Sequence, residues 1–127
     1  MKYLSILRAS EKYRNLPMPA ALGEAMGKFI EKSQRAGVLV DTGGLGPTRD
    51  GFRMRVAQGK LTTVDGPFTE SQEVIGGWAI MQADSRAEIL RLTAEFLELY
   101  RQHWPEFEGE CEVRPIEFLA SDAGGAQ

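Results

Sequence analysis

Cysteine and histidine are almost absent from this chain, which carries one of each among its 127 residues. Cys111 therefore cannot form a disulfide within the chain, and Cys111 with His103 cannot supply the ligands of a structural zinc site. Basic residues are also in deficit, since 15 Lys and Arg face 18 Asp and Glu. This balance provides no excess positive charge to attract nucleic acid or an anionic membrane. We expect no metal, no cofactor, and no direct nucleic-acid or membrane partner.

Long apolar runs are missing as well. No segment approaches the roughly 20 consecutive apolar residues of a membrane-spanning helix, and the N-terminal apolar run is too short for a secretion signal. With its single cysteine, the chain is predicted to be cytoplasmic. Nucleotide-binding and serine-hydrolase motifs are also lacking, because the glycines at 43–46 are followed by Pro47 and not by a phosphate-binding helix.

The chain does contain a regular succession of strand and helix patterns. Alternating or short apolar runs predict strands at 3–8, 38–40, 52–56, 60–64, 78–83 and 112–118. Apolar residues at helical spacing predict one helix from Pro19 to a stop at Gly37. A second helix begins at a Ser85–Glu88 capping box and ends before Pro105. Gln58-Gly59 predicts a tight hairpin turn, and residues 41–50 predict a loop.

This order of elements predicts one α+β domain of ferredoxin-like topology, an antiparallel sheet with two helices on one face. The domain spans residues 1–120, and residues 121–127 form a flexible C-terminal tail. Both faces of the strands at 3–7 and 78–83 carry apolar groups. Because the two helices cover only one face, the other face needs a partner, which predicts a homodimer.

Charged residues near the hairpin are candidates for a site. Asp65 ends a strand and precedes Gly66-Pro67, so its carboxylate can accept N–H groups of the turn, or face a cleft as a general base or ligand acceptor. Arg53 and Arg55 project from one face of their strand. They can clamp an anionic molecule, form a polar solvent face, or pair with Asp65 or Glu73 across strands.

Further candidates follow Asp65. Glu73 stands three residues after Glu70, so the two carboxylates share one side if the segment forms a helical turn, and are solvated loop charges otherwise. Two carboxylates without an evident third ligand predict no metal site. Gly76-Gly77 predicts a β-bulge or a close approach of ligand or backbone. Trp78, directly after it, lines a ligand cavity or belongs to the core.

A longer pattern surrounds these residues, in which Asp-Gly-Pro-Phe at 65–68 is followed by Glu70, Glu73, Gly76-Gly77 and later Glu-Val-Arg-Pro at 112–115. In this pattern the chain resembles the DGPF branch of the YCII-related family. The resemblance implies a dimeric α+β barrel made of two paired sheets. Smaller relatives resemble each other in a first-helix histidine assigned as the partner of the aspartate. The predicted first helix here contains no histidine, so the resemblance does not extend to that dyad.

Three functional hypotheses follow. The first is binding of, or action on, a small polar or anionic organic molecule in a cleft near the dimer interface, by Asp65, Arg55 and Glu73 with Arg53 and Trp78 nearby. The resemblance adds that dimeric α+β barrels include lyases, isomerases and monooxygenases, although fold alone does not assign a reaction. The second is a non-catalytic binding or regulatory module, since DGPF-type proteins are often linked to sigma factors. The third is a structural dimer without a site. The residue types alone leave both catalysis and the ligand open.

Overall fold

A computed structural model describes residues 1–68 and 73–117, with only the backbone described at residues 14, 15 and 73. The six strands are β1 (Lys2–Ser10), β2 (Leu39–Gly44), β3 (Phe52–Ala57), β4 (Lys60–Asp65), β5 (Glu73–Gln82) and β6 (Gly109–Pro115). The two α-helices are α1 (Ala20–Arg35) and α2 (Arg86–His103), and short 3-10 turns cover Glu11–Asn15 and Thr48–Asp50.

Four of the strands form one antiparallel sheet in the order β2-β5-β1-β6. Strand β1 lies in the interior of this sheet, paired on one side with β5 and on the other with β6. Without the β3–β4 hairpin, the element order is strand, helix, strand, strand, helix, strand. With this sheet order, it confirms the predicted ferredoxin-like α+β fold. In the part of the chain that the structure describes, neither helix has the length and apolar character needed to cross a membrane.

The start of α2 and the end of α1 lie at the residues that the sequence indicated, Ser85 and Gly37. The Ser85 hydroxyl caps α2 by accepting from the Glu88 N–H at 3.3 Å, while the Glu88 carboxylate accepts from the Asp84 N–H at 3.3 Å. The returning bond thus reaches one residue earlier than a standard capping box. Helix α1 ends before Gly37, whose φ of 81° is the left-handed conformation typical of glycine after a helix.

The core lies between the helices and one face of the sheet, in two clusters. The first centres on Leu22, Tyr100 and Trp104, where α1 and the end of α2 meet. The second centres on Leu39, Met81 and Ile89, where the sheet meets the start of α2. Both clusters lie on the same side of the sheet, so its opposite face is left to solvent or to a partner.

Two strands extend over glycines that the sequence pattern had placed outside the predicted strands. Strand β2 runs to Gly44, into residues predicted as loop, and β5 begins at Glu73, five residues before the predicted start. The strands tolerate these glycines because neighbours approach closely. A Cβ on Gly43 would lie 3.0 Å from the Trp78 indole, and one on Gly77 would lie 3.2 Å from the Gly43 carbonyl oxygen. The predicted bulge at Gly76-Gly77 is confirmed, since the β1–β5 register shifts there.

The last strand starts and ends earlier than predicted. Strand β6 covers Gly109–Pro115 and not 112–118, and it forms one edge of the sheet, as its proline indicated. Residues 118 onward, including the predicted tail at 121–127, lie outside the described residues. Beyond Pro115, the Ile116 N–H still donates to the Lys2 carbonyl of β1 at 2.9 Å.

Strands β3 and β4 form a two-stranded hairpin that is separate from the main sheet. Its turn has positive φ at both Gln58 (53°) and Gly59 (76°), as a tight hairpin turn requires. The pairing places alternate residues on opposite faces. One face, here called the hairpin's apolar face, exposes four large side chains at 59–73% of their surface: Phe52, Met54, Val56 and Leu61. The hairpin is therefore amphipathic, with its apolar side uncovered in the single chain.

Candidate functional site

A groove of about 470 Å³ lies where the hairpin joins the main sheet. Its walls come from β1, from the loop 45–51, from the start of β3 and from the segment around Phe68 and β5. Two arginines, Arg8 and Arg53, line it together with one carboxylate, Asp50. We call it the arginine groove. The Asp-Gly-Pro-Phe segment thus contributes directly to the groove through Phe68.

Both arginines of the groove are held by neighbours. The guanidinium carbon of Arg53 lies 4.0 Å from the centre of the Phe68 ring, a cation–π contact. Arg8 donates from Nε to Glu112 Oε1 at 3.1 Å, and its Nη2 lies 3.0 Å from the same oxygen in an ion pair. Glu112 also forms an ion pair with Arg114, whose Nε lies 3.1 Å from Oε2, so its carboxylate lies between two cations. These contacts restrict the orientation of both guanidinium groups within the groove.

Thr48, which lines the groove, links the loop 45–51 to two other segments of the chain through hydrogen bonds. Its backbone N–H donates to Glu11 Oε1 at 2.9 Å and its hydroxyl donates to Glu11 Oε2 at 3.2 Å. The same hydroxyl accepts from the Phe68 N–H at 3.4 Å. Gly66 donates to the Gly51 carbonyl at 2.9 Å, and a Cβ at this glycine would overlap the Thr48 carbonyl. The peptide bond from Gly66 to Pro67 is cis.

The predicted site residues are not gathered into one place in the single chain. Asp65 pairs with Phe52 and so shares the hairpin's apolar face, whereas Arg53 and Arg55 project from the opposite face. Of these three, only Arg53 lines the groove, and Asp65 and Arg55 are exposed. Glu73 begins β5 opposite Ser10, but its side chain lies outside the described residues, as does all of Glu70. The site roles of Asp65, Arg55 and Glu73 stay predictions.

Trp78 contributes to a different space. It borders an inner cavity of about 490 Å³ between the two helices and the sheet. In the sheet it pairs with Ile6 and Gly43, and its indole lies against Gly43. The inner cavity shares no lining residue with the arginine groove. The two spaces are therefore distinct from each other.

The inner cavity is apolar, with a few polar groups. Burial raises the pKa of the Tyr100 hydroxyl, and the nearby Cys111 raises it further. Burial likewise raises the pKa of the Cys111 thiol, against a lowering hydrogen bond from Ser5. Both groups therefore keep their protons at neutral pH. Ser33 is 2% exposed, and its hydroxyl has no hydrogen-bond partner among the residues that the structure describes.

Several of these residues were not recognised from the sequence. Glu11 and Thr48 are 37 positions apart, and nothing in their local pattern indicates that they meet. Ser33 did leave a signal, because it continues the apolar helical spacing of Met26 and Ile30. A hydroxyl on the buried stripe of a helix indicates either a satisfied core group or a ligand contact.

Metal coordination finds no support in the geometry. Among residues 1–68 and 73–117, no group of three or more His, Cys, Asp or Glu side chains is placed to hold an ion. The arrangement instead offers guanidinium donors in the groove and neutral donors in the inner cavity. Chemically, the first suits an anionic or polar group and the second an uncharged one.

Comparison with known proteins identifies one family. A sequence profile of the YCII-related domain matches residues 1–96, which cover both helices in part or whole, the hairpin and the Asp-Gly-Pro-Phe segment. No curated protein matches the chain.

Proposed function

The chain belongs to the YCII-related family, and from this starting point we propose that it is a homodimer that binds a small polar or anionic organic molecule in the arginine groove. The observation that carries the proposal is the convergence of Arg8, Arg53 and Phe68 on one groove beside the Asp-Gly-Pro-Phe segment. Its volume of about 470 Å³ falls within the range of small-molecule sites.

The groove matches such a molecule in two ways. A carboxylate or phosphate can accept from both guanidiniums, which are planar, permanently charged and already restricted by Phe68 and Glu112. The apolar part of the molecule can lie against Phe52 and Ile75, which also line the groove. Because part of the ordering is done before binding, less conformational entropy is lost when the molecule binds.

Dimerisation is proposed from the hairpin's apolar face. Proteins that are monomeric in solution rarely expose several large apolar side chains side by side. The four side chains of the hairpin's apolar face are each 59–73% exposed. The outer face of the main sheet offers a second apolar surface, with Leu4 and Ile6 half-buried on β1. Two surfaces on one chain suit a symmetric pair in which each copy covers the other. Phe52 belongs to both the apolar face and the groove, so the groove would lie near that interface.

The dimer is tested by light scattering on matched hairpin variants. Val56→Glu introduces a charge on the apolar face and is expected to shift the mass from dimer to monomer. Thr62→Glu adds the same charge on the opposite face of the hairpin and is expected to leave the mass unchanged. A monomer mass for the parent protein at micromolar concentration would refute the proposed homodimer.

Binding is tested with benzoate and its uncharged counterpart benzyl alcohol. Arg53→Gln is expected to lower benzoate affinity by about ten-fold or more, the scale of one charge-assisted hydrogen bond, without changing the response to benzyl alcohol. Arg55→Gln separates binding in the groove from binding by the predicted Arg53–Arg55 clamp, because Arg55 projects from the same face of β3 but does not line the groove. Equal losses in both variants, or benzoate binding that is independent of Arg53, would contradict the groove as the site.

An enzyme and a regulatory module would both bind the molecule in this groove, and only the enzyme would convert it to a product. Consumption of a bound molecule would make the protein an enzyme. The candidate general base is Asp65, which does not line the groove in the single chain. Binding without consumption would make it a ligand-dependent regulatory module. The Arg53→Gln variant separates groove-dependent turnover from contaminating activity, because only the former decreases with it.

A further inference from the structure

We propose that the inner cavity is a second binding site, for an uncharged, mostly apolar organic molecule that carries a hydroxyl or carbonyl group. The cavity measures about 490 Å³ and lies between α1, α2 and the helix-facing side of the sheet. None of the residues that line it is Asp, Glu, Lys, Arg or His. It is independent of the arginine groove, since the two have no lining residue in common.

The space exists because glycines form part of its wall. Between β2 and β5, Gly44 pairs with Gly77 and Gly43 pairs with Trp78, while Gly76 lies at the bulge beside them. All four glycines border the cavity. No side chain from these positions fills the space above the sheet. Large apolar side chains from the helices, among them Met26, Phe29 and Phe96, close the opposite side. An apolar molecule bound there would supply van der Waals contacts that the cavity walls otherwise lack.

Ser33 gives the cavity a specific polar requirement. Its side chain is 98% buried on α1 and lines the cavity, yet its hydroxyl has no partner within the described residues. Buried hydroxyls are normally hydrogen-bonded, because desolvating one without a partner is unfavourable. The hydroxyls of the two cavity threonines are already satisfied, since Thr42 donates to the Trp78 carbonyl and Thr93 to the Ile89 carbonyl, each at 2.8 Å. An oxygen atom of a bound ligand would provide the hydrogen-bond partner that the Ser33 hydroxyl lacks.

The charge of the ligand follows from the same lining. A charged molecule would lose its hydration without meeting a counter-charge, whereas a neutral one would not. Tyr100 and Cys111, whose pKa values are raised by burial, stay protonated at neutral pH and offer donors but no charge. Size, apolar walls and the unpaired Ser33 hydroxyl therefore select a neutral molecule of one or two rings with an oxygen substituent.

The experiment compares 2-naphthol, naphthalene and 2-naphthalenesulfonate as probes. The parent protein is expected to bind the first two and to bind the sulfonate far more weakly. Ser33→Ala is expected to weaken 2-naphthol about three- to ten-fold while leaving naphthalene unchanged, because only the first loses a hydrogen bond. Thr93→Val is the matched control. It removes a cavity hydroxyl that is already paired within α2, and the ratio of the two affinities should stay as in the parent.

Methionine methyl NMR locates the bound probe. Met18, Met26 and Met81 line the cavity, whereas Met54 lies on the hairpin's apolar face and Met1 is exposed at the terminus. Naphthalene in the cavity is expected to shift the first three methyl signals and not the last two. A shift confined to Met54 would place the probe on the hairpin and overturn the proposal. So would an absence of binding, which would mean that the cavity holds only water, or an equal effect of Ser33→Ala on both probes.

Discussion

Gly66→Ala is the substitution for which the structure makes the sharpest prediction. The glycine lies in the Asp-Gly-Pro-Phe segment against the loop that carries Thr48, and a Cβ there would overlap the Thr48 carbonyl group. Backbone atoms cannot rotate away as a flexible side chain can. One of the two segments must therefore move, and the contact between the hairpin's end and the loop 45–51 must open.

The magnitude follows from the hydrogen bonds that either movement breaks. If the segment at 66–68 moves, the Gly66 N–H loses the Gly51 carbonyl and the Phe68 N–H loses the Thr48 hydroxyl. If Thr48 moves, its N–H and hydroxyl both lose the Glu11 carboxylate. Two bonds are lost in each case, at about 1 kcal/mol for a neutral bond and about 2 kcal/mol for one to a carboxylate. We expect a loss of about 2–4 kcal/mol in the free energy of unfolding.

Thermal and chemical denaturation measure this loss. For a chain of this length, 1 kcal/mol corresponds to about 4 °C in Tm, so Gly66→Ala should melt roughly 8–15 °C below the parent. Gly46→Ala is the control, because it lies in the same loop region with nothing within 4 Å of its added Cβ. A Tm for Gly66→Ala within about 2 °C of the control would refute the close contact with Thr48.

Three further outcomes are expected. Asp65→Asn should change the free energy of unfolding by less than about 0.5 kcal/mol in a thermal melt, because the side chain is exposed; a loss near 2 kcal/mol would show that it braces the turn. Gly27→Ala, in the exposed interior of α1 with free space around it, should stabilise the protein by about 0.5–1 kcal/mol in urea denaturation, and no gain would contradict an unstrained helix there. Because Cys111 has a raised pKa when folded, its thiol ionises first in the unfolded chain, so stability should fall as pH rises above about 9. Cys111→Ala should reduce that fall between about pH 8 and pH 10, and an identical pH profile would contradict the burial of the thiol.

Local signals predicted the elements well, because their causes lie within a few residues. The helices follow from apolar spacing with Gly37 and Ser85 at their ends, and the hairpin turn follows from Gln58-Gly59. Strand β2 was underestimated, because glycines at 43 and 44 resemble a loop. The indole of Trp78 explains why Gly43 belongs in a strand, and this contact spans 35 positions of sequence.

The candidate site was less predictable, since it depends on contacts between distant segments. Residue spacing correctly placed Arg53 and Arg55 on one face of their strand. It did not predict that Asp65 lies on the opposite face of the hairpin, because this depends on the β3–β4 register. Arg8 meets Glu112 across 104 positions, and Glu11 meets Thr48 across 37. No periodicity encodes such pairs. They follow from the sheet order and from the contact of the loop 45–51 with the 3-10 turn that follows β1.

The separation of the hairpin from the main sheet has a consequence for how such proteins diversify. Between Leu45 and Phe68 no described residue is fully buried, whereas both core clusters are built from the helices, their flanking segments and the four-stranded sheet. Insertions, deletions and substitutions on the hairpin strands therefore leave the core intact, as surface connections generally do, whereas the close contact of Gly66 with Thr48 restricts change at the base of the hairpin. Natural selection can alter what the hairpin contacts at little risk to folding, so this region should evolve faster in length and composition than the scaffold that carries it.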